Sequence, residues 1–253
     1  MRHVLPATLI PLLVAACSGG GGGGGGDGGS GSAAGTAAPA LVQSYHFAAP
    51  KAGTHLEYAA SLVDNLNNTL NRTVTDDVTT VNADGSFATH EEDPSHNRIV
   101  SGSTDQSVYP TDFQYNAAGQ ATAWTVAQPS ASVQCTVSGG AAGAPATLSS
   151  GGTWNASYTQ TCGGDGTAYT QSGSYAGIES VTVAAGTFSA YKFTATTTRT
   201  VDGITRIETS TRWRDASGGD TRIVKETSVF TYSGGTPPAG AVLQQTRELK
   251  SYR

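Results

Sequence analysis

The chain predicts an all-β fold: an antiparallel meander of long strands forming a curved sheet (half-barrel, barrel or sandwich) behind a disordered Gly-rich tether. Three observations lead there. Past residue 41, Thr, Val, Tyr and Ser alternate in long runs punctuated by Gly, Asn and Asp, the period-2 pattern of strands and turns. Almost nothing there repeats with helical spacing, so no amphipathic helix is available to cover a sheet face. And 12 of the 33 glycines crowd between Ser18 and Ala40, where a chain with so little apolar surface stays flexible.

The strands follow in order. The alternation predicts Thr54–Val63, Thr69–Val81, Ser86–Glu92, Arg98–Ser107, Asp112–Tyr115, Ala121–Ala127 and Thr153–Gln160. It continues with Ala168–Ile178, Glu179–Val183, Thr187–Val201, Ile204–Arg214, Arg222–Tyr232 and Val242–Ser251. Asn82-Ala83-Asp84-Gly85, Asn116-Ala117-Ala118-Gly119 and Val201-Asp202-Gly203 read as tight hairpin turns. Parity sorts the faces. From Ile204 to Arg214, Ile207, Thr209, Thr211 and Trp213 share one face. Arg206, Glu208, Arg212 and Arg214 share the other, which is expected to be solvated.

The N-terminus is organised differently. Met1-Arg2-His3 precedes an apolar stretch from Val4 to Ala15, too short to span a bilayer and laid out as an export signal. It ends in Leu13-Val14-Ala15-Ala16-Cys17, which resembles the lipobox of bacterial lipoproteins. The resemblance implies a signal peptide over 1–16, a lipid on Cys17 and a membrane as partner. Ser18 rather than Asp follows, which by analogy with lipoprotein sorting implies the outer membrane, with the domain facing the periplasm or the cell surface. Two or more acyl chains anchor stably at about 0.8 kcal/mol per buried methylene. In the lipidated linker 17–40, the 23 residues from Ser18 to Ala40 would reach about 25–30 Å. Residues 41–253 then form a single β domain, with a possible softer boundary at 139–152.

With Cys17 lipidated, Cys135 and Cys162 remain. An even remainder in an exported chain reads as a disulfide, and neither belongs to a Cys-x-x-Cys redox pair. The charge, −5 overall, offers no polybasic run for nucleic acid. It is divided, with −8 over Leu41–Asp165 and +3 over Gly166–Arg253, so the two parts could attract within one domain or mark two lobes.

Glu179-Ser180-Val181-Thr182-Val183-Ala184-Ala185-Gly186-Thr187-Phe188-Ser189-Ala190-Tyr191-Lys192 resembles a Val-x-Val-(Pro)-Ala-Gly-Thr-Phe-x-Ala-x-Lys hairpin of uncharacterised bacterial envelope proteins. Trp213 ahead of Gly218-Gly219 fits the same layout. Ala184 departs from the usual proline. The resemblance implies a curved β-sheet and an envelope location. Physically, the segment is a folding motif: Gly186 relaxes the turn, and Phe188 packs over Val181 and Val183.

Chemistry is sparse. His90, Asp93 and His96 lie in an acidic cluster that could chelate a divalent ion, but Pro94 breaks any His-Glu-x-x-His pattern, and the ordinary reading is an exposed acidic turn. Thr80 to Glu91 matches part of a calcium loop, yet Thr80 stands where aspartate is required. No Gly-x-Ser-x-Gly elbow occurs, and the histidines His46, His55, His90 and His96 are confined to the first part of the domain. Tyr58, Tyr115, Trp124, Trp154, Tyr158, Tyr169, Tyr175 and Trp213 suit either a core or a carbohydrate or lipid cleft. Arg199, Arg206, Arg212, Arg214 and Arg222 suit either a salt-paired outer face or an anion-binding one.

The sequence therefore points to a lipid-anchored envelope protein with a structural or binding role, no cofactor and no enzymatic activity. A lipid or acyl-chain carrier built as an open barrel is the first alternative, and a hydrolase with a triad assembled in space is the second. A carrier requires an apolar cavity of about 300 Å³ or more.

Overall fold

The structure, a computed structural model, describes residues 43–94, 109–128 and 131–253. The leader, Cys17, the linker, the strand expected at Arg98–Ser107, and His96 lie outside the described residues. Among the described residues fourteen strands follow one another: β1 (Tyr45–His46), β2 (His55–Asp64), β3 (Thr69–Val81), β4 (Phe87–Glu92), β5 (Thr111–Tyr115), β6 (Ala121–Ala127), β7 (Ser132–Ser138), β8 (Thr147–Leu148), β9 (Thr153–Cys162), β10 (Asp165–Val183), β11 (Gly186–Val201), β12 (Ile204–Asp215), β13 (Ile223–Ser233) and β14 (Val242–Tyr252). The all-β expectation holds, and among its three forms the closed barrel is the one adopted.

Twelve of these strands close the barrel, each antiparallel to its neighbours, in the order β10-β11-β12-β13-β14-β2-β3-β4-β5-β6-β7-β9. Connections are up-and-down throughout, except that β8 leaves the barrel between β7 and β9 to pair with β1. Closure removes the exposed sheet edges that a long open meander would present. The expected turns form as hairpins. Asp202 (φ 49°) and Gly203 (φ 77°) supply the two positive-φ positions between β11 and β12 that a two-residue turn demands.

Ser132–Ser138 was not among the expected strands. It pairs with β6 on one side and with β9 on the other, and the second pairing sets Cys135 directly opposite Cys162. The two cysteines form a disulfide. Glu179–Val183, expected as a separate strand, is the continuation of β10 past a bulge at Tyr175/Gly177.

Beyond that bulge the β10–β11 hairpin reaches across the ends of β13 and β14. Val181 faces Phe188 across the hairpin, Ala185 N–H donates to the Leu249 carbonyl, and Val181, Val183, Phe188 and Ala190 share a core with Leu56, Tyr58, Val224 and Leu249. A second core at this end gathers Trp154, Tyr175, Phe193 and Tyr45. Gly173 is fixed by it: a Cβ there would collide with the Trp154 indole and with Ala195.

The two faces of the sheet are reversed from expectation. Arg206, Glu208, Arg212 and Arg214 line the interior cavity, with Glu208 3% and Arg212 9% exposed, while Ile207, Thr209, Thr211 and Trp213 are half-exposed outside. Parity separates two faces but does not say which one is enclosed. The outward face of β10 and β11 carries Ser172, Ser174, Thr194, Thr196 and Thr198, hydroxyls that suit water and not the apolar band of a membrane-spanning barrel.

Candidate functional site

The strand registers fix an internal ladder of charge. Arg212 lies opposite Glu226, Glu226 opposite Arg247, Asp76 opposite Glu91, and Arg199 opposite Arg206. Arg212 Nη2 is 2.6 Å from Glu226 Oε1, and Arg206 Nη2 is 2.7 Å from Glu208 Oε2. Arg247 Nη1 donates to Glu91 Oε2 at 2.6 Å, with Asp76 Oδ2 at 3.9 Å from Nη2, and its guanidinium lies 3.9 Å over the Tyr58 ring. The acidic first part and the basic second part thus meet inside the barrel.

Two of the arginines are not matched this way. Arg214 donates to the Thr221 carbonyl at 2.9 Å and lies 5.7 Å from the Phe47 ring. Burial lowers its pKa. Arg199 donates to the Tyr169 hydroxyl at 3.1 Å. Neither has a carboxylate at ion-pair distance among the described residues.

Between these side chains runs a cavity of about 110 Å³. Five arginines (199, 206, 212, 214, 247) and three carboxylates (Asp76, Glu91, Glu208) line it, with Tyr45, Tyr115, Trp154, Tyr158 and Tyr169. Burial pushes the Asp76 carboxyl up to about 6, against the pull of Arg247 and with Glu91 adding to the rise. Buried Ser210 Oγ, Glu226 Oε2 and Gln245 Oε1 have no hydrogen-bond partner among the described residues, unusual for buried polar atoms. The cavity is smaller and far more polar than the apolar space an acyl-chain carrier requires.

One end of the lumen is filled by the first described residues. Tyr45 packs edge-on to Phe193 at 4.6 Å and bridges to Leu148. The Tyr175 hydroxyl donates to the Gln43 carbonyl at 3.1 Å, and Ala48 is held by Thr221 through both backbone and hydroxyl. Phe47 stacks 6.0 Å from Phe87 and fills the place a Cβ on Gly119 (φ 72°) would occupy. The segment 139–152 contributes Ala142, Gly143 and Ala144 to the wall, pinned by Gln120 and Gln171.

The remaining candidates scatter. His90 is not in an acidic turn: it belongs to β4, and its Nδ1 sits 2.7 Å from Asp112 on the outer face. Glu91 points the other way into the lumen, and Asp93 is buried 3.7 Å from Arg72. His55 pairs with Asp77 at 2.6 Å, again outside. Neither His–Asp pair has a serine hydroxyl bonded to it among the described residues. Thr80 to Glu91 is the β3–β4 hairpin, with Asp84 accepting from Ser86. Tyr58, Tyr115, Trp124, Trp154, Tyr158, Tyr169 and Tyr175 are inside, while Trp213 is outside between Lys192 and Lys225. Arg222 pairs with Asp220 and Asp215. Asp76, Glu91, Glu226 and Arg247 were not foreseen as members of the site. Their strand parity, read together with that of the arginines, is the signal that could have found them.

No known protein family's profile matches the chain, and no curated protein matches it. Solved structures do match. One, a proposed exported protein with a YmcC-like fold from Bacteroides fragilis, is 10% identical with a TM-score of 0.48, covering 83% of this chain and 99% of that one. A proposed lipoprotein from Parabacteroides distasonis is 12% identical with a TM-score of 0.42 and the same coverages, 83% and 99%. The hypothetical lipoprotein YmcC from Escherichia coli is 10% identical with a TM-score of 0.39, covering 78% and 84%.

Proposed function

We propose that the protein is a lipoprotein held by a lipid on Cys17 to the outer membrane, whose barrel is a binding module and not an enzyme, taking an anionic envelope ligand into its lumen. The observation that carries this reading is the excess of arginine over carboxylate around a cavity inside the barrel, while the outer face of β10 and β11 is hydroxyl-rich. Charges buried at this density cost desolvation energy, and replacing such pairs by well-packed apolar residues is often neutral or stabilising. The lipobox and the Gly-rich linker of residues 17–40 support the anchor, and the outward placement of both His–Asp pairs supports a role without catalysis.

Titrating acetate, glucuronate, phosphate and sulfate while following tryptophan fluorescence, to which the lumen-lining Trp154 contributes, tests the binding half. A saturable change with at least one anion is expected, and linear responses to all four would reject a binding lumen. Palmitate-analogue labelling tests the anchor: wild type should label and Cys17→Ala should not, with equal labelling rejecting it.

A further inference from the structure

Resting on the reading of the lumen as a binding site, we infer its ligand class: an acidic sugar, its carboxylate on Arg199 and its ring beside the Tyr158–Tyr169 stack. Arg199 stands directly across the β11–β12 pair from Arg206, and like charges facing each other across strands repel. Arg206 is neutralised by Glu208 at 2.7 Å, and its guanidinium lies 4.6 Å over the Phe230 ring. Arg199 is not neutralised. Its protein hydrogen bond goes to the Tyr169 hydroxyl through Nη1, and the guanidinium has further N–H donors in a planar fork that matches a carboxylate.

The neighbouring surface is flat and aromatic. Tyr158 and Tyr169 stack at 5.1 Å with ring planes 4° apart, and both line the cavity beside Arg199. A pyranose offers one face of C–H groups to such a ring and hydroxyls at its edge. Gln160 and Thr197, both buried in the same wall, supply amide and hydroxyl groups for that edge. The cavity of about 110 Å³ is smaller than an engineered ~150 Å³ cavity that accepts benzene, so it admits the carboxylate end of one terminal or single sugar and not a chain. A bare phosphate would satisfy Arg199 but leave the tyrosine pair unused.

The test is isothermal titration calorimetry on the lipidated full chain in detergent micelles, with glucuronate, glucose and inorganic phosphate at equal ionic strength. Glucuronate is expected to bind at least tenfold more tightly than either of the others. Arg199→Gln should weaken glucuronate at least tenfold, while Lys225→Gln, on the outer face, should leave it unchanged. Should Arg199→Gln fail to fold, Arg199→Lys keeps the charge but loses the fork and should still weaken binding several-fold. Glucose binding equal to glucuronate would overturn the carboxylate contact, and phosphate binding equal to glucuronate would overturn the sugar assignment. Unchanged affinity in a folded Arg199 variant would overturn the placement. If glucuronate fails while acetate, phosphate or sulfate saturates the fluorescence change, the sugar inference alone falls. If none of them binds, the binding lumen falls with it.

Discussion

Arg212 and Glu226 face each other on β12 and β13, with Nη2 2.6 Å and Nε 3.0 Å from the same carboxylate oxygen, in a place where their side chains are 11% and 2% exposed. A pair this deep is costly to break from one side, because the surviving charge keeps its desolvation penalty without its partner. Arg212→Leu is expected to destabilise the protein by about 3–5 kcal/mol, and the double change Arg212→Leu with Glu226→Leu by far less. Urea unfolding of the four proteins of the cycle measures both. Additive losses would contradict direct pairing.

The lumen should also make stability depend on pH. In the folded protein burial raises the Asp76 carboxyl to about 6, from an ordinary value of 3.8. Between those values the native state binds more protons than the unfolded state, so this group makes stability fall as pH rises from about 4 to about 6. Asp76→Asn removes that contribution. Unfolding free energy measured at pH 4, 5 and 6 should therefore fall less steeply with pH in the variant than in wild type. Parallel curves would contradict a buried, ionisable Asp76.

Gly119 is required twice over, by its φ of 72° and by the Phe47 ring where its Cβ would be. Gly119→Ala is expected to cost about 1–3 kcal/mol and to unseat Phe47. Limited proteolysis should then cut near residues 43–48 sooner than in wild type. Unchanged cleavage would mean that the segment is not held by this contact.

The disulfide between Cys135 and Cys162 spans 27 residues of sequence. Closing a loop of that length stabilises by about 3 kcal/mol through the entropy of the unfolded chain. Cys135→Ser with Cys162→Ser should lower stability by about that amount in chemical denaturation, and no loss would contradict it.

These sites differ in how far the sequence announced them. Long strands such as Thr187–Val201 were legible because threonine and β-branched residues alternate over many positions, and Asp202-Gly203 marks the turn unambiguously. Ser132–Ser138 was not legible: Val133 and Val137 are its sole aliphatic residues among Ser, Gln, Cys and Thr, and register with Cys162 completes it. The lumen was hidden for a different reason. Arg206, Glu208, Arg212 and Arg214 alternate as a solvated face would, and nothing in that alternation shows that Arg212 meets Glu226 of β13 or that the Arg247–Glu91 pair of β14 and β4 lies in the same interior. Strand parity located the faces; closure of the barrel decided which one was enclosed.

The enclosure of the Arg206–Arg214 face is tested most directly by the reactivity of adjacent cysteines on β12. Ser210 is 3% exposed within the barrel, and Thr211, the next residue, is half-exposed outside it. In the native protein Thr211→Cys should react with a water-soluble maleimide at least tenfold faster than Ser210→Cys, with both reacting equally after unfolding. Faster labelling of Ser210→Cys in the folded state would show that the charged face points to solvent and that the lumen is not where the arginines are.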